Sequence, residues 1–318
     1  MSFTLSDLPD LTGQTAVVTG ANSGLGFKTA QALAGAGAHV VMTARSEEKY
    51  DAAAAELRAR NRRAELSFQQ LDLADLASVR AAAEAIAEAH PDLAILVNNA
   101  GVMMTPEKQT ADGFELQLGT NHLGHFALTG LLLEALLAGE GARVTNVSSF
   151  AHHTGRMAFD DLHFRTRSYD PIAAYGQSKL ANLLFTFELQ RRLDAAVALI
   201  RVTAAHPGYA ATNLQASGVR MGGGGWRSTA LDLFMRLSNP LMGQSAAQGA
   251  LPIIHAAVSD VPASSYWGPQ GFQETRGPVG MARVDDKALD ADAARRLWEV
   301  SVEETGVRYE ALTAPTDA

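Results

Sequence analysis

No cysteine occurs in the 318 residues. Disulfides, thiolate nucleophiles and thiolate metal sites are therefore excluded. A long apolar run is also missing. The longest, FALTGLLLEALLAG from Phe126 to Gly139, is too short to span a bilayer and carries Glu134. No basic segment followed by an apolar stretch opens the chain, so neither a signal peptide nor a membrane anchor is read there. Basic charge is in short supply as well: 26 Lys and Arg stand against 34 Asp and Glu, a net charge of −8. That balance does not neutralise phosphates, which argues against a general nucleic-acid binder. The one dense basic run, Arg58 to Arg63, falls near the end of a predicted helix, where cations suit the helix dipole. These shortages predict a soluble, cytoplasmic protein.

What is present can build a large core, since 47% of the residues are hydrophobic and 19% charged. Short apolar runs at 15–19, 39–43, 66–71, 93–98, 142–147 and 197–205 read as strands. Alanine-rich helical patterns at 27–36, 47–60, 75–89, 112–138 and 174–195 alternate with them. Strands alternating with helices of that length predict right-handed βαβ units, hence an α/β fold with a doubly wound parallel sheet. No repeat or linker divides the chain, so residues 1–318 read as a single Rossmann domain with short flexible termini. Residues 213–245, with the run Gly222–Gly225 ahead of Leu231, Phe234, Met235 and Leu237, are expected to form a substrate lid.

The chemistry is carried by a few short motifs. TGANSGLG (19–26) follows the first strand and opens a helix, where glycines let the backbone approach a pyrophosphate resting on helix N–H groups. Tyr175 and Lys179 are four residues apart and share a helix face. An ammonium close to a phenol favours the phenolate, and bringing a tyrosine down from about 10 by 2–3 units takes roughly 3–4 kcal/mol. The second strand ends in Thr43, Ala44 and Arg45, without the carboxylate that accepts from the ribose hydroxyls of NAD. A guanidinium there suits a 2′-phosphate, so NADP(H) is expected over NAD(H). His122 with His125, and His152 with His153, lack a third ligand at recognisable spacing, and no metal site is read from them. The first pair is expected to pack or cap, the second to border the substrate mouth.

TGANSGLG, LDL (71–73), NNAG (98–101), NVSS (146–149), YGQSK (175–179) and PGYAAT (207–212) occur in that order. Together they resemble the short-chain dehydrogenase/reductase family. GFELQLGTNHLGHFALT (113–129) and SSFAHHTGRMAFDDL (148–162) resemble its retinol-dehydrogenase-like branch, which shares the long gap between Ser149 and Tyr175. The resemblance implies an oxidoreductase interconverting an alcohol and a carbonyl on a small apolar substrate. It implies Tyr175 as general acid/base, Lys179 on the nicotinamide ribose, Ser149 on the substrate oxygen and Asn121 in support of the lysine. Ser148 is a rival for the serine role, but strand alternation sends it to the opposite face. For the cofactor it implies Gly20, Asn22, Ser23, Gly24, Leu25 and Gly26 at the pyrophosphate, Arg45 at the phosphate, and Asp72 and Leu73 at the adenine. Asn98, Ala100 and Gly101 would line the floor, and Pro207, Gly208 and Thr212 the carboxamide side. A dinucleotide-binding sensor or scaffold without catalysis is the other reading, and self-association into a homo-oligomer is left open.

Overall fold

Eight strands form one sheet in the order β3-β2-β1-β4-β5-β6-β7-β8. The structure, a computed structural model, describes residues 3–209 and 244–312. The strands are β1 (Thr15–Val18), β2 (His39–Ala44), β3 (Leu66–Gln70), β4 (Ile95–Asn98), β5 (Arg143–Val147), β6 (Arg201–Ala205), β7 (Ser265–Pro269) and β8 (Val279–Met281). The first seven run parallel, whereas β8 pairs antiparallel with β7, a departure from the expected all-parallel sheet. β8 has only three residues and returns from β7 through a short connection, which needs no crossover helix.

Strand alternation sorts the core into two layers. Ala16 and Val18 of β1 face the cluster formed with helices α1 (Gly24–Gly35), α2 (Glu47–Arg60) and α8 (Ala246–Val258). Val17 faces the opposite layer, with α3 (Leu76–Ala89), α5 (Gly124–Leu131), α7 (Pro171–Ala195) and α9 (Ala291–Thr305). Caps fix where the helices begin. Asp75 accepts from the N–H groups of Ala77 and Ser78 to start α3, and Asp170 does the same for α7 with Pro171 at its first position.

Two expected elements differ. The helix read at 112–138 is broken into α4 (Leu116–Leu118), a π turn at Gly119–Leu123, α5 and α6 (Leu133–Ala138). A Cβ at Gly124 would stand 2.5 Å from the Leu73 carbonyl oxygen, so the chain is drawn against the loop after β3 at that point. The strand read from 197 starts only at Arg201, because Val197 turns with φ +55° at the end of α7. Among the described residues no helix is long and apolar enough to cross a membrane. The expected lid lies outside the described residues except for Gln244 and Ser245.

Candidate active site

β1 and β4 are neighbours although β2 and β3 lie beyond β1, so the order reverses between them and opens a crevice at their carboxyl ends. The glycine-rich turn sits there. Gly20 and Gly24 have φ of +65° and +56°, which favour glycine. A Cβ on Gly26 would collide with the Gly20 carbonyl and lie 2.5 Å from Asn99 Nδ2. Ser23, in extended backbone, precedes α1 without a side-chain cap, and the first turn holding Gly24, Leu25 and Gly26 carries no acid. The helix N-terminus therefore keeps N–H groups for an anion, and the cradle fits a dinucleotide pyrophosphate. Asn22 lies in the turn ahead of it.

The remaining predicted contacts that the structure describes follow or end strands β2, β3, β4 and β6. Arg45 is exposed at the end of β2, and among the described residues no carboxylate pairs with it. Asp72 and Leu73 follow β3, where Asp72 Oδ1 accepts from the Ala74 N–H at 3.0 Å and so shapes the loop. Asn98 differs from its expected place. Its side chain turns inward and donates to Thr129 Oγ1 at 2.9 Å and Asn146 Oδ1 at 2.8 Å. What reaches the floor is the chain at Asn99, Ala100 and Gly101. Pro207 and Gly208 follow β6, and Thr212 lies outside the described residues.

The predicted catalytic residues come from the end of β5, the π turn and α7. Ser148 and Ser149 point apart as alternation requires. Ser148 is buried and donates to the Lys179 carbonyl at 2.8 Å, while Ser149 is partly exposed and its Oγ accepts from the Ala151 N–H at 3.2 Å. Asn121 is fully buried; its amide bridges both polar groups of the Val102 backbone, at 2.7 and 2.9 Å, and donates to Ser178 Oγ at 2.9 Å. A Cβ at Gly101 would lie 2.9 Å from Asn121 Oδ1 and 3.7 Å from Lys179 Nζ, so the floor, the amide and the ammonium meet at one point.

Tyr175 and Lys179 share a face as the spacing implied, but the electrostatic expectation is corrected. The ammonium donates to the Val147 carbonyl at 3.0 Å and stands 5.8 Å from the phenol ring centre. Burial pushes the Tyr175 phenol above its ordinary value, with the Ser149 hydroxyl pulling the other way. The same burial brings Lys179 down to about 8. Desolvation is the leading influence on both groups.

Two supporting groups were not legible from the motifs. Gly208 has φ +64°, and a Cβ there would stand 2.5 Å from the Thr275 carbonyl oxygen, which also accepts from Tyr209 N–H at 2.8 Å. The segment before β8 therefore buttresses the Pro207–Gly208 turn. Buried His206 accepts from Gly208 N–H at 3.2 Å, and its Nε2 lies 3.2 Å from Glu274 Oε2. The only signal in the sequence was the His206-Pro207-Gly208 run, whose partner is 68 residues away. His152 and His153 follow Ser149 in a 3₁₀ turn, and His153 Nδ1 lies 3.3 Å from Asp285 Oδ2.

Comparison with known proteins agrees with this geometry. The family model described as short chain dehydrogenase matches residues 14–221. Human retinol dehydrogenase 12 is 42% identical over 302 residues, covering 94% of this chain and 89% of its own. Human retinol dehydrogenase 13 is 41% identical over 300 residues, covering 93% and 85%. A crystal structure of an uncharacterized protein from Mycobacterium paratuberculosis is 41% identical and superposes with a TM-score of 0.79 over 97% of this chain and 99% of that one.

Proposed function

The chain belongs to the short-chain dehydrogenase family, an oxidoreductase acting on alcohol and carbonyl groups with a nicotinamide dinucleotide, and on that premise we propose that it uses NADP(H) and a small apolar substrate, with Tyr175 as proton donor and acceptor. The observation that carries the reading is the convergence of Ser149, Tyr175, Lys179 and Asn121 at the switch point of the sheet, beside Gly101.

A nicotinamide dinucleotide held at the Gly20–Gly26 turn would supply hydride-transfer chemistry. The protein's residues handle the oxygen and its proton. Ser149 Oγ, partly exposed at the end of β5, donates to the substrate oxygen and orients it. In reduction the Tyr175 O–H proton passes to that oxygen, giving the alcohol and a phenolate; in oxidation the phenolate takes it back. A phenol raised by burial holds its proton at neutral pH, which suits the donor role. Lys179, its ammonium buried and its pKa brought down to about 8, would hold the ribose hydroxyls and stabilise the phenolate as it forms. Half-exposed Phe150 next to Ser149, and Ile172 one turn before Tyr175, support an apolar substrate.

The test is consumption of NADPH with a panel of apolar aldehydes, ketones and quinones. Turnover of at least one class that is absent in Tyr175→Phe supports the reading. Cofactor binding without turnover of any panel member would leave the dinucleotide-binding sensor as the better description.

A further inference from the structure

His125 is 98% buried in α5, just past the π turn, and both ring nitrogens are engaged. Nδ1 lies 3.0 Å from the Asn121 carbonyl oxygen, an atom that can only accept, so the proton is on Nδ1. Nε2 is then an acceptor, and its partner is Thr19 Oγ1 at 2.9 Å. The Thr19 hydroxyl in turn accepts from the N–H groups of Asn99 and Ala100, both at 2.9 Å. The Val97 carbonyl, 3.3 Å from Thr19 Oγ1, is a second and longer acceptor for that hydroxyl, while the Asn121 carbonyl fixes the ring, which cannot be reversed without setting two acceptors face to face.

The three strands of contact lead to three parts of the site. Thr19 precedes Gly20 at the end of β1, Asn99 and Ala100 form the floor after β4, and Asn121 stands against Gly101 and beside Lys179. We infer that His125 is a positioning residue that locks the glycine-rich turn, the floor and the π turn into one register, so that the cofactor cradle and the proton-handling groups are aligned by a single neutral imidazole. The inference rests on the dinucleotide site proposed above. It also assigns a use to the histidine pair that the sequence left as packing: His122 serves the core, with Nε2 on Ser301 Oγ at 2.9 Å, and His125 serves the site.

Burial and the nearby Lys179 ammonium keep the ring neutral, with its pKa down at about 4. The tautomer is therefore constant over the working pH range. A phenylalanine of similar shape fills the same space and removes both hydrogen bonds.

The experiment measures NADPH dissociation constants by fluorescence for the wild type, His125→Phe, Thr19→Val, the double variant and Thr19→Ser. Losing the two bonds should weaken binding roughly 5–100-fold in His125→Phe, with secondary structure retained. Because the two residues share the Thr19–His125 bond, the double variant should lose less than the product of the two single losses, and Thr19→Ser, which keeps the hydroxyl, should stay within about threefold of wild type. Unchanged binding in His125→Phe, or losses that multiply in the double variant, would overturn the inference while leaving the dinucleotide site intact. No NADPH binding by wild type would overturn both. Should His125→Phe not fold, nitrogen-labelled histidine in the wild type decides: a proton on Nδ1 that exchanges more slowly with NADPH bound supports the role, and a proton on Nε2 or a ring indifferent to NADPH overturns it.

Discussion

Lys179 stands one turn beyond Tyr175 on α7, yet its ammonium is committed to the Val147 carbonyl at 3.0 Å rather than to the phenol. The anchoring carbonyl ends β5, directly before Ser148 and Ser149, so the lysine ties the helix carrying the tyrosine to the strand carrying the serine. Asn182 Nδ2 donates to the same carbonyl at 3.0 Å, and among the described residues no carboxylate pairs with the ammonium. Desolvation in that setting brings the lysine down to about 8.

Tyr175→Phe should retain NADPH affinity and lose activity. Only the phenolic O–H is deleted, and a general acid or base contributes about 10²–10⁴-fold. Steady-state turnover on a verified substrate, with NADPH titrated in parallel, checks this. Retention of more than about a tenth of wild-type turnover would remove Tyr175 from the proton-transfer role.

Gly26→Ala should weaken NADPH binding and lower the thermal midpoint together. The new methyl would meet the Gly20 carbonyl, a backbone atom that cannot swing aside, and Asn99 Nδ2 at 2.5 Å. Overpacking of this kind costs about 1–3 kcal/mol, or about 5–150-fold in affinity if it falls wholly on binding. Calorimetric titration and a melting curve read both. Wild-type affinity in Gly26→Ala would mean that the turn does not approach the cofactor.

Acid should destabilise the fold in a window set by three buried histidines. Burial brings His122 down to about 3, and His125 and His152 to about 4, from an ordinary value of 6.5. Unfolded, these rings take up protons as the pH falls below 6.5, whereas in the native state they stay neutral until near 4. Their contribution is complete above pH 6.5 and is lost on the way down to about pH 4, for His122 to about pH 3, at about 1.4 kcal/mol per pH unit for each ring. Urea unfolding at pH 7 and pH 5 measures the slope. His122→Phe should flatten it by about one proton, and an unaltered slope would mean that His122 is charged in the native protein.

The parts of this fold that were legible in the sequence are those where one physical cause dominates. Val17 and Val41, alternating with Ala16 and Val40, mark strands covered on both faces, and the helical pattern read at 47–60 is α2. Hidden parts depend on distant partners. β7 ends in Gly268 and Pro269, which read as a turn, and it is a strand because β6 offers its edge. The π turn needs Val102 to capture the Asn121 amide, and nothing at 119–123 announces that. In the site, spacing put Tyr175 and Lys179 on one helix face, and Ser149 followed from the family resemblance. Which way the ammonium points depends on the Val147 carbonyl and on desolvation, neither of which a spacing rule contains.

Arg45→Ala should separate the two cofactors. Arg45 directly follows β2, exposed, with uncharged Thr43 and Ala44 before it and no acceptor carboxylate at the strand end. Glu47 and Glu48 come soon after, but they occupy the first turn of α2, where the helix dipole favours them. A guanidinium meets a 2′-phosphate with two parallel charge-assisted hydrogen bonds, a contact that NADH cannot offer. Its loss should cost about 2–3 kcal/mol, or about 30–150-fold in NADPH affinity, with NADH affinity nearly unchanged. Raising salt should narrow the wild-type preference, because an exposed pair is screened beyond about 8 Å at physiological ionic strength. Titration of both proteins with both cofactors at low and high salt reads all of this. Equal wild-type affinity for NADH and NADPH, or an Arg45→Ala loss shared by both, would place the phosphate elsewhere and leave Arg45 as a surface residue.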